Sequence, residues 1–300
     1  MKVFILSNDD LSSNLIFAPL FEQGEVEIVG LAYTATVTPG KQGQLSGALG
    51  LLRRMDWRYW LYLVYVNGCF QLFERLTAWL RREPRFGWLA SQRRYCALSS
   101  VPVYVVPDFN TPEFHDILRR SGAELLVIRV NQILSATTLS IPRRGVWCVH
   151  SSLLPSYRGI AGEFHALRNK EPRIGTTIFR VEPELDKGPP LFQTVLETTA
   201  RDSVFTHMVR NNLAAGELLA VAAGQLARIG RVDSSLVGGM ITPSYFSWPK
   251  RRQVRQLRDR GGQIIGLREA CGFLTACLRL KRPRHADLRT VAPVRVKHVA

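Results

Sequence analysis

The sequence predicts an α/β protein built on a mostly parallel sheet flanked by helices, with a helical insertion and a basic C-terminal extension. Apolar runs of strand length alternate with helix-like patterns through the first two hundred residues. Such alternation places parallel strands under crossover helices. It is interrupted once, over about 40–95, by an aromatic-rich stretch, and the composition turns strongly basic after about residue 235. These shifts divide the chain into a unit over 1–235, carrying the insertion, and an extension over 236–300.

"KVFIL" and "VEIVGLAY" read as buried strands, and between them Leu11, Leu15, Phe17, Leu20 and Phe21 are spaced as a helical face requires. "VPVYVV" is the next strand. In "NTPEFHDILRRSG", Thr111 is the expected N-cap, Pro112 the first helical residue and Gly122 the stop. "ELLVIRV" and "GVWCVH" supply two more strands. "AGEFHALRNK" is a short helix, and "GTTIFRV" with "PLFQTVLETT" forms a strand pair around "EPELDKG". Asp202 is placed to cap the long Ala- and Leu-rich helix that follows.

The insertion is unusual. Its centre carries no charge between Tyr59 and Phe73, yet it falls short of the span a bilayer needs. Arg53, Arg54, Arg81 and Arg82 flank it, and Trp57, Trp60 and Trp79 decorate it. Three readings stand open: a helical hairpin packed over the site, a dimer contact, or an interfacial helix giving peripheral membrane contact through 57–80.

The chain has 40 Lys and Arg against 24 Asp and Glu, a net +16 that favours anionic partners, whether a phosphorylated small molecule, nucleic acid or an acidic membrane. Its five cysteines show no paired or metal-like spacing, which argues against a disulfide framework and for a reducing compartment. "MKVFILSNDD" lacks the apolar stretch and cleavage site of a secretory signal, so a cytoplasmic location is expected. No G-x-G-x-x-G or P-loop follows the first strand, which removes the usual motifs for dinucleotide or nucleoside triphosphate binding.

Chemistry concentrates at two places. In "WCVHSSLLPSYRG", His150 ends a strand, and ligands of open parallel sheets gather beyond such strand ends. Asp186 sits in the Gly/Pro turn "ELDKGPP", where it is either an acid of the site or an Asx-turn residue ahead of Gly188. Cys148 shares a strand face with His150, and reads either as a passive neighbour or as a thiol nucleophile beside a base.

"HSSLLPSYRG", the helix after it, "GTTIF" and "LDKGPP", taken in that order, resemble the folate-dependent formyltransferases. That family includes the glycinamide ribonucleotide, methionyl-tRNA and sugar N-formyltransferases. The likeness is dense from about 108 to 197, weaker over 1–35 and missing from 40–95. It implies a Rossmann-like fold and transfer of a formyl group from 10-formyltetrahydrofolate to an amine, with no metal. Attack of an amine on a formyl carbon builds an oxyanion and an ammonium, so a donor and a base are needed. By resemblance His150 is the catalytic histidine and Asp186 its acidic partner. The pterin is expected against Val130, Asn131, Gln132 and Leu134, and against Val181, Glu182 and Leu185, with Leu154 and Pro155 walling the site. Arg158 and Gly159 are expected on the acceptor side, Arg158 meeting an acceptor phosphate.

Two positions depart from the family. Cys148 stands where the family has asparagine, and a thiol is a weak donor. Phe179 stands where the family commonly has histidine. The expected function is formylation of a small anionic amine acceptor, a nucleotide-linked amino sugar. Methionyl-tRNA formylation is the alternative enzyme reading, with tRNA as partner. The two departures keep open a non-catalytic folate-binding or interaction protein.

Overall fold

Residues 1–34, 50, 52–80, 82–84, 89–182, 188–199, 202–232, 234, 236, 242–281 and 294–295 are described in the computed structural model of the chain. The elements of the first half are β1 (Lys2–Ser7), α1 (Leu11–Phe21), β2 (Glu27–Thr34), α2 (Trp57–Leu80), β3 (Glu83–Pro84), α3 (Gln92–Leu98), β4 (Val103–Val106), α4 (Pro112–Ser121), β5 (Leu125–Arg129), α5 (Ala136–Ser140) and β6 (Val146–His150). Then come β7 (Arg158–Gly159), α6 (Gly162–Arg168), β8 (Arg173–Arg180), β9 (Pro190–Glu197), α7 (Val204–Ile229), β10 (Tyr245–Phe246), α8 (Arg251–Asp259), α9 (Leu267–Leu278), β11 (Leu280–Lys281) and β12 (Val294–Arg295).

The main sheet runs β12-β4-β2-β1-β5-β6-β8-β9. Its members are parallel as far as β6, and β8 and β9 then add antiparallel. The expected mostly parallel sheet with a closing strand pair is therefore present. β1 is buried on both faces, which is why it reads as an unbroken apolar run rather than an alternation. Val3, Ile5, Val127, Trp147, Val149 and Ile178 face one layer, packed with Ile16, Phe17, Leu20 and Leu219 of α1 and α7. Phe4, Leu6, Leu126, Ile128 and Val146 face the other, under Phe114 and Leu118 of α4.

Two local expectations change. α1 is buried on most of its circumference, not on a single face. α7 lies against it so closely that a Cβ on Gly216 would stand 2.7 Å from the Leu15 carbonyl oxygen. The cap of α7 is Ser203, whose hydroxyl accepts from the Thr206 N–H at 3.0 Å, and not Asp202. Asp202 is one residue too early to reach that donor. Its carboxylate instead accepts from the Thr199 N–H and from Arg210. The α4 signals behave as read: Thr111 caps, Pro112 begins the helix, and Gly122 ends it at φ +64°.

Within the insertion, α2 is one long helix whose Tyr59, Tyr62, Val66, Phe70 and Phe73 pack with Leu11, Leu15, Phe164 and Phe205. Residues 40–49, 51, 81 and 85–88 of the expected insertion lie outside the described residues. Among the described residues no helix is long and apolar enough to cross a membrane. The basic extension returns to the body: Val254 and Leu257 of α8 and Phe273 and Cys277 of α9 are buried in the same cluster as α2.

Candidate functional site at the strand ends

β1, β5 and β6 run the same way, so Ser7, Arg129 and His150 end side by side at one edge of the sheet. His150 Nε2 lies 3.2 Å from the Tyr157 carbonyl oxygen. A carbonyl only accepts, so this contact has Nε2 carrying the proton and donating. The loop between them is held by side-chain hydrogen bonds to its backbone. The Leu154 N–H donates to Thr177 Oγ1 at 2.9 Å, and Thr177 donates onward to the Ser152 carbonyl at 2.7 Å. Gln193 Nε2 donates to the Leu154 carbonyl at 3.0 Å. Leu153 sits on Gly175, where a Cβ would come within 2.6 Å of its Cδ2 and 2.0 Å of the Thr194 carbonyl oxygen. The glycine and second threonine of "GTTIF" are thus the seat of the "SLLP" loop.

The antiparallel register of β6 and β8 sets Cys148 opposite Phe179 and His150 opposite Thr177. Residues directly opposite share a sheet face, so the two departures are cross-strand neighbours one step from His150. Phe179 is buried, while Cys148 is half-buried and, like Val130 and Val181, packs against one core cluster. Val130 and Val181 come from the loops after β5 and β8, and the sequence-expected pterin wall begins with these two. Leu134 is buried in the core beneath that wall. Gln132 is tied to Asp108 and to the Phe109 N–H, and Asn131 is exposed. Leu154 is buried, Pro155 is exposed, and Glu182 is exposed beyond the end of β8. Asp186 and Leu185 lie outside the described residues. Gly188, the glycine of that turn, is described: a Cβ there would fall 1.6 Å from the Arg180 carbonyl oxygen. The β8–β9 turn therefore requires glycine.

Arg158 and Gly159 are drawn into a short parallel ladder with Tyr245 and Phe246. Gly159 has φ +94°, and a Cβ would meet the Phe246 carbonyl oxygen at 2.2 Å. The extension's β10 thus accounts for this glycine. Arg158 Nε is buried without a hydrogen-bond partner.

The structure adds groups that sequence reasoning missed. Glu163, in the first turn of α6, hydrogen-bonds Ser151 and feels the charges of Arg129 and His150. Burial raises its carboxyl above the usual range, against the pull of Arg129. Ser151 Oγ in turn donates to Asn212 Oδ1 at 3.0 Å. Arg129 also donates to Asp10, the α1 cap, and to Ser13 Oγ at 3.1 Å. The available signal was an arginine ending an otherwise apolar strand, a placement that desolvation disfavours unless a partner waits. Glu163 had no such signal, since an acidic residue in a first helical turn is ordinary.

The loop after β1 forms the opposite wall. Asp9 holds φ +56° and pairs with Arg93 of α3. Burial lifts its carboxyl to about 6 despite that arginine. Arg93 lies 4.6 Å from the centre of the Tyr33 ring. α2 holds the same loop from above: Gln71 Nε2 donates to the Asp9 carbonyl at 2.8 Å, and Asn67 Oδ1 accepts from the Leu11 N–H at 3.2 Å. No group of three His, Cys, Asp or Glu suited to a metal occurs among the described residues.

The histidine thus stands at a strand end of an open, mostly parallel sheet, with the 151–157 loop pinned next to it. Residues 106–222 match the formyl transferase family. A methionyl-tRNA formyltransferase from Acidothermus cellulolyticus is 31% identical over 206 residues, 63% of this chain and 62% of that protein. One from Methylobacillus flagellatus is 37% identical over 112 residues, 37% of this chain and 36% of its length. The chain thus spans between about a third and 62% of the curated relatives it matches. A glycinamide ribonucleotide transformylase from Symbiobacterium toebii shares the fold at a TM-score of 0.51 and 13% identity, covering 76% of this chain and 87% of that one. Residues 106–222 thus carry the likeness to the formyl transferase family.

Proposed function

We propose that this protein moves the formyl group of 10-formyltetrahydrofolate onto the amine of a small acceptor. The observation that carries the reading is His150, set at the end of β6 over the pinned 151–157 loop and beside the half-buried Glu163. In the reaction the acceptor nitrogen bonds the formyl carbon, the carbonyl oxygen becomes an oxyanion, and the bond to the folate nitrogen then breaks. The His150 N–H is suited to the oxyanion once it leaves the Tyr157 carbonyl. Asp186 orients the imidazole and helps remove the ammonium proton, and Glu163 is a second carboxyl within electrostatic reach.

Val130 and Val181 supply a half-buried apolar wall that fits a pterin, with Asn131, Gln132, Leu134, Leu154, Pro155, Glu182 and Leu185 framing it. Cys148 lies on that wall as a small apolar substitute for an amide. We assign 1–235 as the catalytic unit and 236–300 as an extension that closes the far side of the 151–159 loop through β10. Arg158 and Gly159 belong to that side.

The acceptor we favour is a nucleotide-linked amino sugar, supported by the net +16 charge. Methionyl-tRNA is the second reading, motivated by the names of the curated relatives. Incubation with 10-formyltetrahydrofolate and, separately, amino-sugar nucleotides or methionyl-tRNA, with mass spectrometry for one added formyl group, decides between them. Folate binding with no formyl gained by any amine would overturn the enzymatic reading in favour of a non-catalytic protein.

A further inference from the structure

α2 is apolar on two opposite sides, and among the described residues only one of them is packed against the body. Tyr59, Tyr62, Val66, Phe70 and Phe73 are buried against the body. Positions 57, 61, 64, 68, 72, 75 and 79 follow three- and four-residue steps, which gather them within about 80° on the other side of the helix. The row reads Trp, Leu, Val, Gly, Leu, Arg, Trp. Trp57 is 52% exposed, Leu61 47%, Val64 44%, Leu72 69% and Trp79 79%. A helix apolar on all sides is ordinarily covered on all sides. Here the uncovered strip runs roughly 33 Å from one tryptophan to the other.

The charges around the strip have one sign. Between Leu52 and Arg82 there are six arginines and two acids, Asp56 and Glu74. Asp56 is buried and caps the Arg58 N–H, while Glu74 accepts from the Ser91 hydroxyl, so neither acid is left to the outer face. Arg53, Arg54 and Arg75 are exposed. α9 lies beside α2, held by the Tyr65 hydroxyl donating to the Ala270 carbonyl at 2.7 Å and by Tyr65 against Phe273. It brings its own exposed Leu267, Leu274 and Leu278, with Arg268 and Arg279 exposed alongside.

We propose that α2, with α9 beside it, docks the protein flat on an anionic lipid surface. Tryptophans at both ends, leucines between them and arginines at the flanks match the layered chemistry of a headgroup boundary over acyl chains. A second copy of the chain fits less well, because a two-fold contact through this face sets arginine against arginine with no acid to answer. Docking leaves the strand-end site within one helix width of the lipid, since Asn67 and Gln71 on the same helix hold the loop after β1. The inference does not depend on the reaction assigned above.

The test is flotation of the full chain with vesicles of phosphatidylcholine alone and of phosphatidylcholine with phosphatidylglycerol, at low and high salt, alongside sedimentation equilibrium. The protein is expected to float with the anionic vesicles only, to bind more weakly in high salt, and to show a blue shift in tryptophan emission. Trp79→Glu with Leu72→Glu, both outward-facing, should abolish flotation without changing the far-ultraviolet circular dichroism. Arg53→Gln, Arg54→Gln and Arg75→Gln together should weaken it by about 100-fold. Wild-type protein that floats with neither vesicle overturns the proposal. So does flotation that survives the two glutamates. A dimer that those glutamates dissociate, with no flotation, would show the face to be an interface between copies instead.

Discussion

The two walls of the site are built differently. On the β6–β8 side, the supports come from the adjoining strands, 23 to 39 residues away: Thr177 and Gln193 pin the 151–157 loop, and Gly175 and Gly188 admit backbone that no larger residue would. On the side of the loop after β1, the supports come from far along the chain, with Asn67, Gln71 and Arg93 reaching Leu11 and Asp9 across 56 to 84 residues. The first wall is the part that matches known formyl transferases, within 106–222, and the second is furnished by the insertion. Both walls are thus held by side-chain hydrogen bonds to backbone, each worth about 1 kcal/mol, and the first adds glycines that admit close backbone.

The sharpest way to break that contrast is at its chemical centre. His150→Ala, and separately Asp186→Asn, should lower formyl transfer by about 100- to 10,000-fold while leaving the melting temperature within a few degrees. Near-normal rates in either variant remove that residue from the mechanism. A purely structural blow to the same wall comes next. Gly188→Ala drives a Cβ to 1.6 Å from a carbonyl oxygen, so the β8–β9 turn must shift, at about 3 kcal/mol or more. Thermal denaturation that matches wild type would mean the turn is not constrained as described.

The seam where the extension meets this wall should respond to pH. His165 is fully buried, stacks 4.4 Å from the Phe246 ring, and sits 2.9 Å from the Ser247 carbonyl oxygen. Burial lowers its pKa to about 4. Between about 4 and the ordinary 6.5, the unfolded chain therefore binds the proton that the folded one refuses. Stability from this group is complete above 6.5 and declines as pH falls toward 4, by roughly 2–3 kcal/mol. Melting curves across that window should show the decline, and His165→Gln should flatten it.

Smaller effects sharpen the comparison. Cys148→Asn should raise turnover by about tenfold if an amide there meets the oxyanion. The buried Phe179 opposite it limits the room available, and Phe179→His alone should gain less. If both Cys148→Asn and Cys148→Ser slow the reaction, the thiol itself takes part. Asn67→Ala, on the other wall, should cost only about 1 kcal/mol in stability and little in turnover. A loss of rate as large as that of His150→Ala would show the second wall to be catalytic and erase the distinction.

By itself the sequence determined the strands and their alternation with helices, because a strand buried on both faces must read as a continuous apolar run. It also determined the strand-end histidine, the capped and glycine-stopped α4, and the ordered motifs of the β6–β8 wall. Only the tertiary structure decided that Cys148 and Phe179 are partners across one ladder rung. Register is a property of two strands and is written in neither alone. It likewise decided that Glu163 meets His150, that Asp10 rather than solvent meets Arg129, and that the basic extension folds back against Gly159. Each joins segments far apart in the chain, where charge and burial become meaningful only once the neighbours are known.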